Sequence, residues 1–61
     1  MKVNPNTTGP EAVAALYTAA ELVEKVAREA AEQGDVYAVY RLMGKSMTLR
    51  QMANKLDRGL I

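Results

Sequence analysis

One stretch, residues 11–33, constrains the fold more than any other, because it reads as a single long amphipathic helix. Apolar residues recur along it at alternating steps of four and three, the spacing of the a and d positions of a helical seam. These positions hold Ala12, Leu16, Ala19, Val23, Val26 and Ala30, and the seam is widened into a stripe by Val13, Ala20 and Ala27. Since most of the stripe is alanine, the sequence predicts close approach of a partner helix.

The small size of the chain favours stabilisation by association of several copies. A domain of 61 residues buries only about 60% of the surface that its unfolded chain exposes, and is marginally stable. The sequence contains no Cys and no His, so it cannot form a disulfide and lacks the best ligands for a transition metal. We therefore expect a homo-oligomer, most simply a dimer. Its predicted self-association surface is the stripe of the long helix, at Leu16, Ala19, Ala20, Val23, Val26, Ala27 and Ala30.

Local signals divide the chain into a flexible N-terminal arm, residues 1–8, and a single three-helix domain, residues 9–61. Thr8 fits the N-cap of a capping box that starts the long helix, predicted over about residues 10–33. Gly34 follows it as a residue free to adopt the left-handed conformation that ends many helices.

Two short helices are expected to follow. Asp35 is a good N-cap for a second helix over about residues 36–43, which Gly44 would end. Thr48 begins another capping box and predicts a third helix over about residues 49–58. The predicted fold is therefore all-α, with one long amphipathic helix covered by two short ones. Their apolar faces are Val36, Val39, Tyr40 and Met43 in the second helix and Leu49, Met52, Ala53 and Leu56 in the third.

The two parts of the chain differ in charge. Residues 1–40 hold three basic and six acidic side chains, a net −3, whereas residues 41–61 hold five basic side chains and one acidic, a net +4. This asymmetry indicates an anionic partner for the C-terminal part. No apolar run approaches the ~18–20 residues of a membrane span, and the N-terminus lacks the apolar core of a signal peptide. We expect a cytoplasmic protein with no membrane partner.

The sequence gives no support to an enzyme. Without His or Cys, Ser46 has no candidate base to activate it as a nucleophile. The glutamates of the long helix fall on its solvent side, and Glu24 lies four residues before Arg28 in the favourable order for an ion pair. We read these glutamates as ordinary solvated carboxylates, and we expect no metal and no cofactor.

The third predicted helix carries a polar face opposite its apolar one. Arg, Gln and Asn suit hydrogen bonds to base edges, and Lys suits phosphates. Such a face is typical of a DNA-recognition helix, although a solvated face of a small helical bundle has the same composition. The predicted DNA contacts are Arg50, Gln51, Asn54, Lys55 and Arg58, together with Lys45.

Residues 48–56, Thr-Leu-Arg-Gln-Met-Ala-Asn-Lys-Leu, resemble the first helix of helix-turn-helix DNA-binding domains, which often run Thr-Leu-Arg-Gln-Ile-Ala, two variable residues and Leu. In this register the resemblance implies a recognition helix after Leu56. A second register makes Val36–Met43 the first helix and Leu49–Arg58 the recognition helix. The leading hypothesis is a small DNA-binding regulatory protein. The alternative is a helical protein–protein interaction module, such as an adaptor, an inhibitor or an antitoxin-like protein, without contact to nucleic acid.

Overall fold

The computed structural model describes residues 9–59, which form a hairpin of two long helices. Helix α1 spans Pro10–Glu32 and helix α2 spans Val36–Asp57. Only three residues separate them, so the helices run antiparallel and pack side by side along their length. The all-α prediction is confirmed for this part of the chain. The predicted arm, the Thr8 cap and the last two residues of the predicted domain lie outside the described residues.

The turn between the helices follows the capping chemistry that the sequence predicts. Gly34 has a φ of 76°, the left-handed conformation that glycine adopts without steric cost. Its N–H donates to the carbonyl of Ala31 at 3.0 Å, and the N–H of Asp35 donates to the carbonyl of Ala30 at 2.9 Å. This pair of bonds is the Schellman motif. The Asp35 carboxylate then accepts a bond from the N–H of Ala38 at 3.1 Å and caps α2.

The predicted arrangement of two short helices is wrong, because Val36–Asp57 forms one helix, α2. It runs without a break through Gly44 and the predicted connector, residues 45–47. Gly44 keeps a helical φ, unlike Gly34 and Gly59, so it does not act as a helix end. Thr48, predicted as an N-cap, lies within the helix, and its hydroxyl donates to the carbonyl of Gly44 at 3.1 Å. A helix interior tolerates glycine at a cost of about 1 kcal/mol, which packing along α1 can offset.

The core of the hairpin is a seam of small residues. Within residues 9–59, the buried side chains are those of Ala20 and Ala27 on α1 and of Ser46 and Ala53 on α2. The spacing of three or four residues continues on each side of them through half-buried positions: Val13, Leu16, Val23 and Ala30 on α1, and Leu42, Leu49 and Leu56 on α2. Small side chains at the centre allow the two helix axes to lie close together.

The core face predicted for residues 36–43 also differs from the structure, because the seam follows another face of α2. Val36, Tyr40 and Met43 were expected to be covered, but they are 62%, 76% and 47% exposed. The seam passes instead through Leu42, which is half-buried, and continues to Ser46. Because α2 is one continuous helix, the face it buries is set along its whole length rather than separately for each predicted half.

Candidate interaction surfaces

The residues predicted to form the self-association stripe divide into two groups in the structure. Most lie on the intramolecular seam, where α2 of the same chain covers them: Leu16, Ala20, Val23, Ala27 and Ala30. Ala19 is half-buried at the edge of the seam, and Val26 is 49% exposed. The stripe is covered because α2, with 22 residues, nearly matches the 23 residues of α1. Most of the stripe is therefore already occupied by contacts within the chain.

Large apolar side chains remain on the outside of the hairpin. Eight of them are exposed within the described residues, at Leu22, Val26, Val36, Tyr37, Tyr40, Met43, Met47 and Met52. The helical repeat places Leu22 and Val26 on the side of the seam opposite Glu24. It places Val36, Met43 and Met47 on a common ridge of α2, because they are separated by seven and four residues. These exposed side chains thus lie on more than one side of the hairpin.

A groove crosses the middle of α2 at Gly44. Its volume is about 530 Å³. A Cβ atom added to Gly44 would meet no other atom within 4 Å, so nothing in the hairpin fills the space above this glycine. A second depression of about 240 Å³ adjoins it and shares Arg41 and Lys45 with it. The groove is lined by Val23 from α1 and by Tyr40, Arg41, Gly44, Lys45, Thr48 and Leu49 from α2.

On the other side of the seam a polar cluster joins the two helices. The Arg50 guanidinium donates two bonds to the Glu24 carboxylate, from Nε to Oε2 at 2.7 Å and from Nη2 to Oε1 at 2.8 Å. The hydroxyl of Ser46 donates to the same carboxylate, which gives this buried seam position its polar partner. The Arg50 guanidinium also lies over the ring of Tyr17, 5.8 Å from its centroid. The cluster ties one level of α1 to one level of α2 and so fixes their register.

The cluster changes the acidity of Glu24. The hydrogen bonds from Arg50, and after them the bond from Ser46, lower the pKa of the Glu24 carboxyl from 4.5 to about 2. The same bond to Glu24 raises the pKa of Arg50. Glu24 was predicted to pair locally with Arg28 on a solvated face. Its side chain is instead 20% exposed and forms a two-bond ion pair with a residue 26 positions away.

The predicted DNA contacts are only partly brought together. Arg50 is held by Glu24, which leaves its side chain 45% exposed. The exposed polar face of α2 and its C-terminal end consists of Gln51, Asn54, Lys55 and Arg58, whereas Lys45 lines the groove.

The continuous α2 also bears on the two helix-turn-helix registers. It removes the register that needs separate helices before and after Gly44. The other register needs a helix after Leu56. Helix α2 ends at Asp57, and the structure describes the chain only as far as residue 59, so this resemblance stays a prediction.

Sequence reasoning missed two features of these surfaces, the groove at Gly44 and the cluster around Glu24. The pattern Gly-x-x-x-Thr at residues 44 and 48 places two small residues on one face of a helix, but it indicates a groove only once α2 is known to be continuous. Comparison with protein-family models, with curated proteins and with solved structures finds no match for this chain. In the part of the chain that the structure describes, neither helix combines the length and the apolar character needed to cross a membrane.

Proposed function

We propose that this chain is a helical protein-interaction module that works as a homodimer, with two hairpins packed into a four-helix bundle. The observation that supports this proposal is the imbalance between what the hairpin buries and what it exposes. Three alanines and a serine are buried within residues 9–59, whereas eight large apolar side chains are exposed. Burying a Leu, Val or Met side chain contributes about 1.5–3 kcal/mol, so covering even some of these exposed side chains is a source of stability that the single hairpin leaves unused.

The size of the chain supports the same proposal. Ordering each backbone residue costs roughly 1–2 kcal/mol, and an alanine seam returns little apolar burial to offset this cost. A twofold dimer covers the same patch on both copies, and four helices around one core form a common stable arrangement. We therefore expect helix content and association to depend on each other, with dilution lowering both.

Leu22→Glu tests the proposal. Leu22 is 60% exposed and contributes nothing to the buried seam, so a charge there should leave the hairpin contacts intact and dissociate the dimer. Sedimentation equilibrium and far-UV circular dichroism over a concentration series measure both properties. Ala31→Glu is the matched control, because it adds the same charge to an exposed position of α1 on the face opposite Leu22. A wild-type chain that sediments as a monomer at high concentration would contradict the proposal.

A second candidate function, contact with duplex DNA, is favoured by the charge of α2. Residues Val36–Asp57 hold four basic side chains and one acidic, a net +3, and Asn54 and Lys55 are both exposed. Lys suits phosphates and Asn suits an adenine edge. In this second candidate function, the proposed dimer binds DNA as an additional, anionic partner.

Titration of a duplex at two salt concentrations tests the second candidate. Lys55→Ala should weaken binding to all sequences and reduce the salt slope by about one unit, as loss of a phosphate contact does. Lys25→Ala is the matched control, because it removes the same charge from an exposed position of the acidic helix α1. If the wild-type chain fails to bind duplex even at low salt, the DNA candidate is abandoned and the interaction module stands.

A further inference from the structure

The groove at Gly44 is a space on the hairpin surface that no side chain of the hairpin fills. Glycine destabilises a helix interior relative to alanine, and Gly44 lies near the middle of the 22-residue helix α2. Nothing in the hairpin lies within 4 Å of the position where its Cβ would be, so no intramolecular contact requires a glycine there. Thr48, one turn further on, is also small and exposed. Because the groove is lined by these two small residues, another helix can approach α2 closely there.

The charges of the two helices indicate which helix that is. Helix α1 carries five acidic and two basic side chains, a net −3, and α2 carries a net +3. Arg41 and Lys45 form the basic wall of the groove and are exposed. Packing α1 of one copy on α2 of the other pairs opposite charges at both contacts, whereas packing like helices together would place −3 against −3 and +3 against +3.

We infer that the groove over Gly44 is the seat of helix α1 of a second copy of this chain. The inference rests on the proposed homodimer and specifies how its two copies meet. A twofold axis parallel to the helices brings α1 of each copy over α2 of the other, with the two helices antiparallel, as they are within the hairpin.

That axis also preserves the hairpin's own register. Because Glu24 lies level with Ser46 and Arg50 within one chain, Leu22 and Val26 of the second copy come to lie near the level of Thr48. One helical turn further along, Glu29 of the second copy lies near the level of Arg41 and Lys45. The exposed apolar side chains of α1 thus cover the small residues of the groove, and an exposed acid meets its basic wall.

Gly44→Leu tests this arrangement by filling the groove. Leucine is a better helix former than glycine, so the helix content of the separated chain should be kept or increased. The added side chain should raise the dissociation constant of the dimer by about tenfold or more, the size expected for overpacking a fitted contact. Asn54→Leu is the matched control on the same helix, exposed and away from the groove. If Gly44→Leu dimerises as tightly as wild type, this docking mode is overturned.

A charge exchange provides a second test that does not depend on filling space. Arg41→Glu should weaken the dimer about tenfold at low salt, and Glu29→Arg in the same chain should restore it, because each contact regains a pair of opposite charges. Absence of rescue would overturn α1 as the occupant. A wild-type chain that is monomeric would instead refute the proposed homodimer itself, so the two failures are distinguishable. Sedimentation equilibrium of the full chain at two salt concentrations measures both tests.

Discussion

The alanine seam predicts a strong response to a single enlarged side chain. Ala20 has 0% of its surface exposed and lies on the line along which α1 meets α2. Ala20→Leu adds three carbon atoms at a position with no free space, so the helices must separate or the new side chain must adopt a strained rotamer. Overpacking of this kind costs about 1–3 kcal/mol, which corresponds to a change of roughly 5- to 150-fold in the folding equilibrium.

The expected loss is large relative to the stability available. At roughly 0.05–0.15 kcal/mol per residue, a chain of this length has about 3–9 kcal/mol in total. For a domain of this size, 1 kcal/mol corresponds to about 4–8 °C in the melting temperature. We therefore expect Ala20→Leu to melt at least about 4 °C below the wild type and, at the upper limit, more than 20 °C below it.

Thermal denaturation followed by far-UV circular dichroism measures this difference, with all proteins at one concentration because association raises apparent stability. Ala14→Leu is the control, since it makes the same substitution at an exposed position of the same helix. That variant should stay within about 0.5 kcal/mol of the wild type, as substitutions at exposed positions do. An Ala20→Leu protein that melts at or above the wild-type temperature would refute the close-packed seam.

Three further predictions follow from the turn and the polar cluster. Asp35→Ala should cost about 1 kcal/mol in chemical denaturation because α2 loses its side-chain cap, whereas Asp35→Asn should retain most of that stability. Gly34→Ala should cost roughly 1–2 kcal/mol, because its φ of 76° strains any residue with a Cβ; an unchanged denaturation midpoint would contradict this. The pKa of Glu24 is lower in the folded chain, about 2, than its ordinary value of 4.5, so its ion pair with Arg50 stabilises the fold above pH 4.5 and is lost as the pH falls toward 2. Glu24→Gln should therefore melt below the wild type at neutral pH, and the difference should shrink across that window.

The parts of the fold that depend on local chemistry were predictable from the sequence. The predicted long helix, about residues 10–33, agrees with Pro10–Glu32, and the turn at Gly34 and Asp35 has the predicted capping bonds. These features depend on a few adjacent residues, whose conformational preferences act wherever the chain goes.

The continuity of α2 was not predictable in the same way. A glycine such as Gly44 carries the same signal whether it ends a helix or merely weakens one. What keeps α2 intact is packing along its full length, and the relevant pattern is Leu42, Ser46, Leu49, Ala53 and Leu56, with steps of four, three, four and three. Ser46 conceals this pattern, because a polar residue does not count toward an apolar seam until its hydroxyl is found bonded to Glu24.

The ion pair of Glu24 with Arg50 illustrates the same limit. The local partner Arg28, four residues away, is visible in the sequence, whereas Arg50 is 26 residues away and becomes a neighbour only through the hairpin. The electrostatics of the site therefore follow from the topology, and they could not be derived before the length of α2 was known.

The three-residue turn also has a consequence for how the chain folds. Because the helices are joined tightly and run antiparallel, contacts across the seam span a growing length of chain with distance from Gly34. Closing a longer loop costs more entropy, so helix pairing should begin beside the turn and proceed outward like a zipper. The bonds of Glu24 to Ser46 and Arg50 close loops of 22 and 26 residues and hold the register midway along this path. Proteins rich in such local pairings fold within microseconds to milliseconds, and amide exchange should become faster from the turn toward the open end of the hairpin.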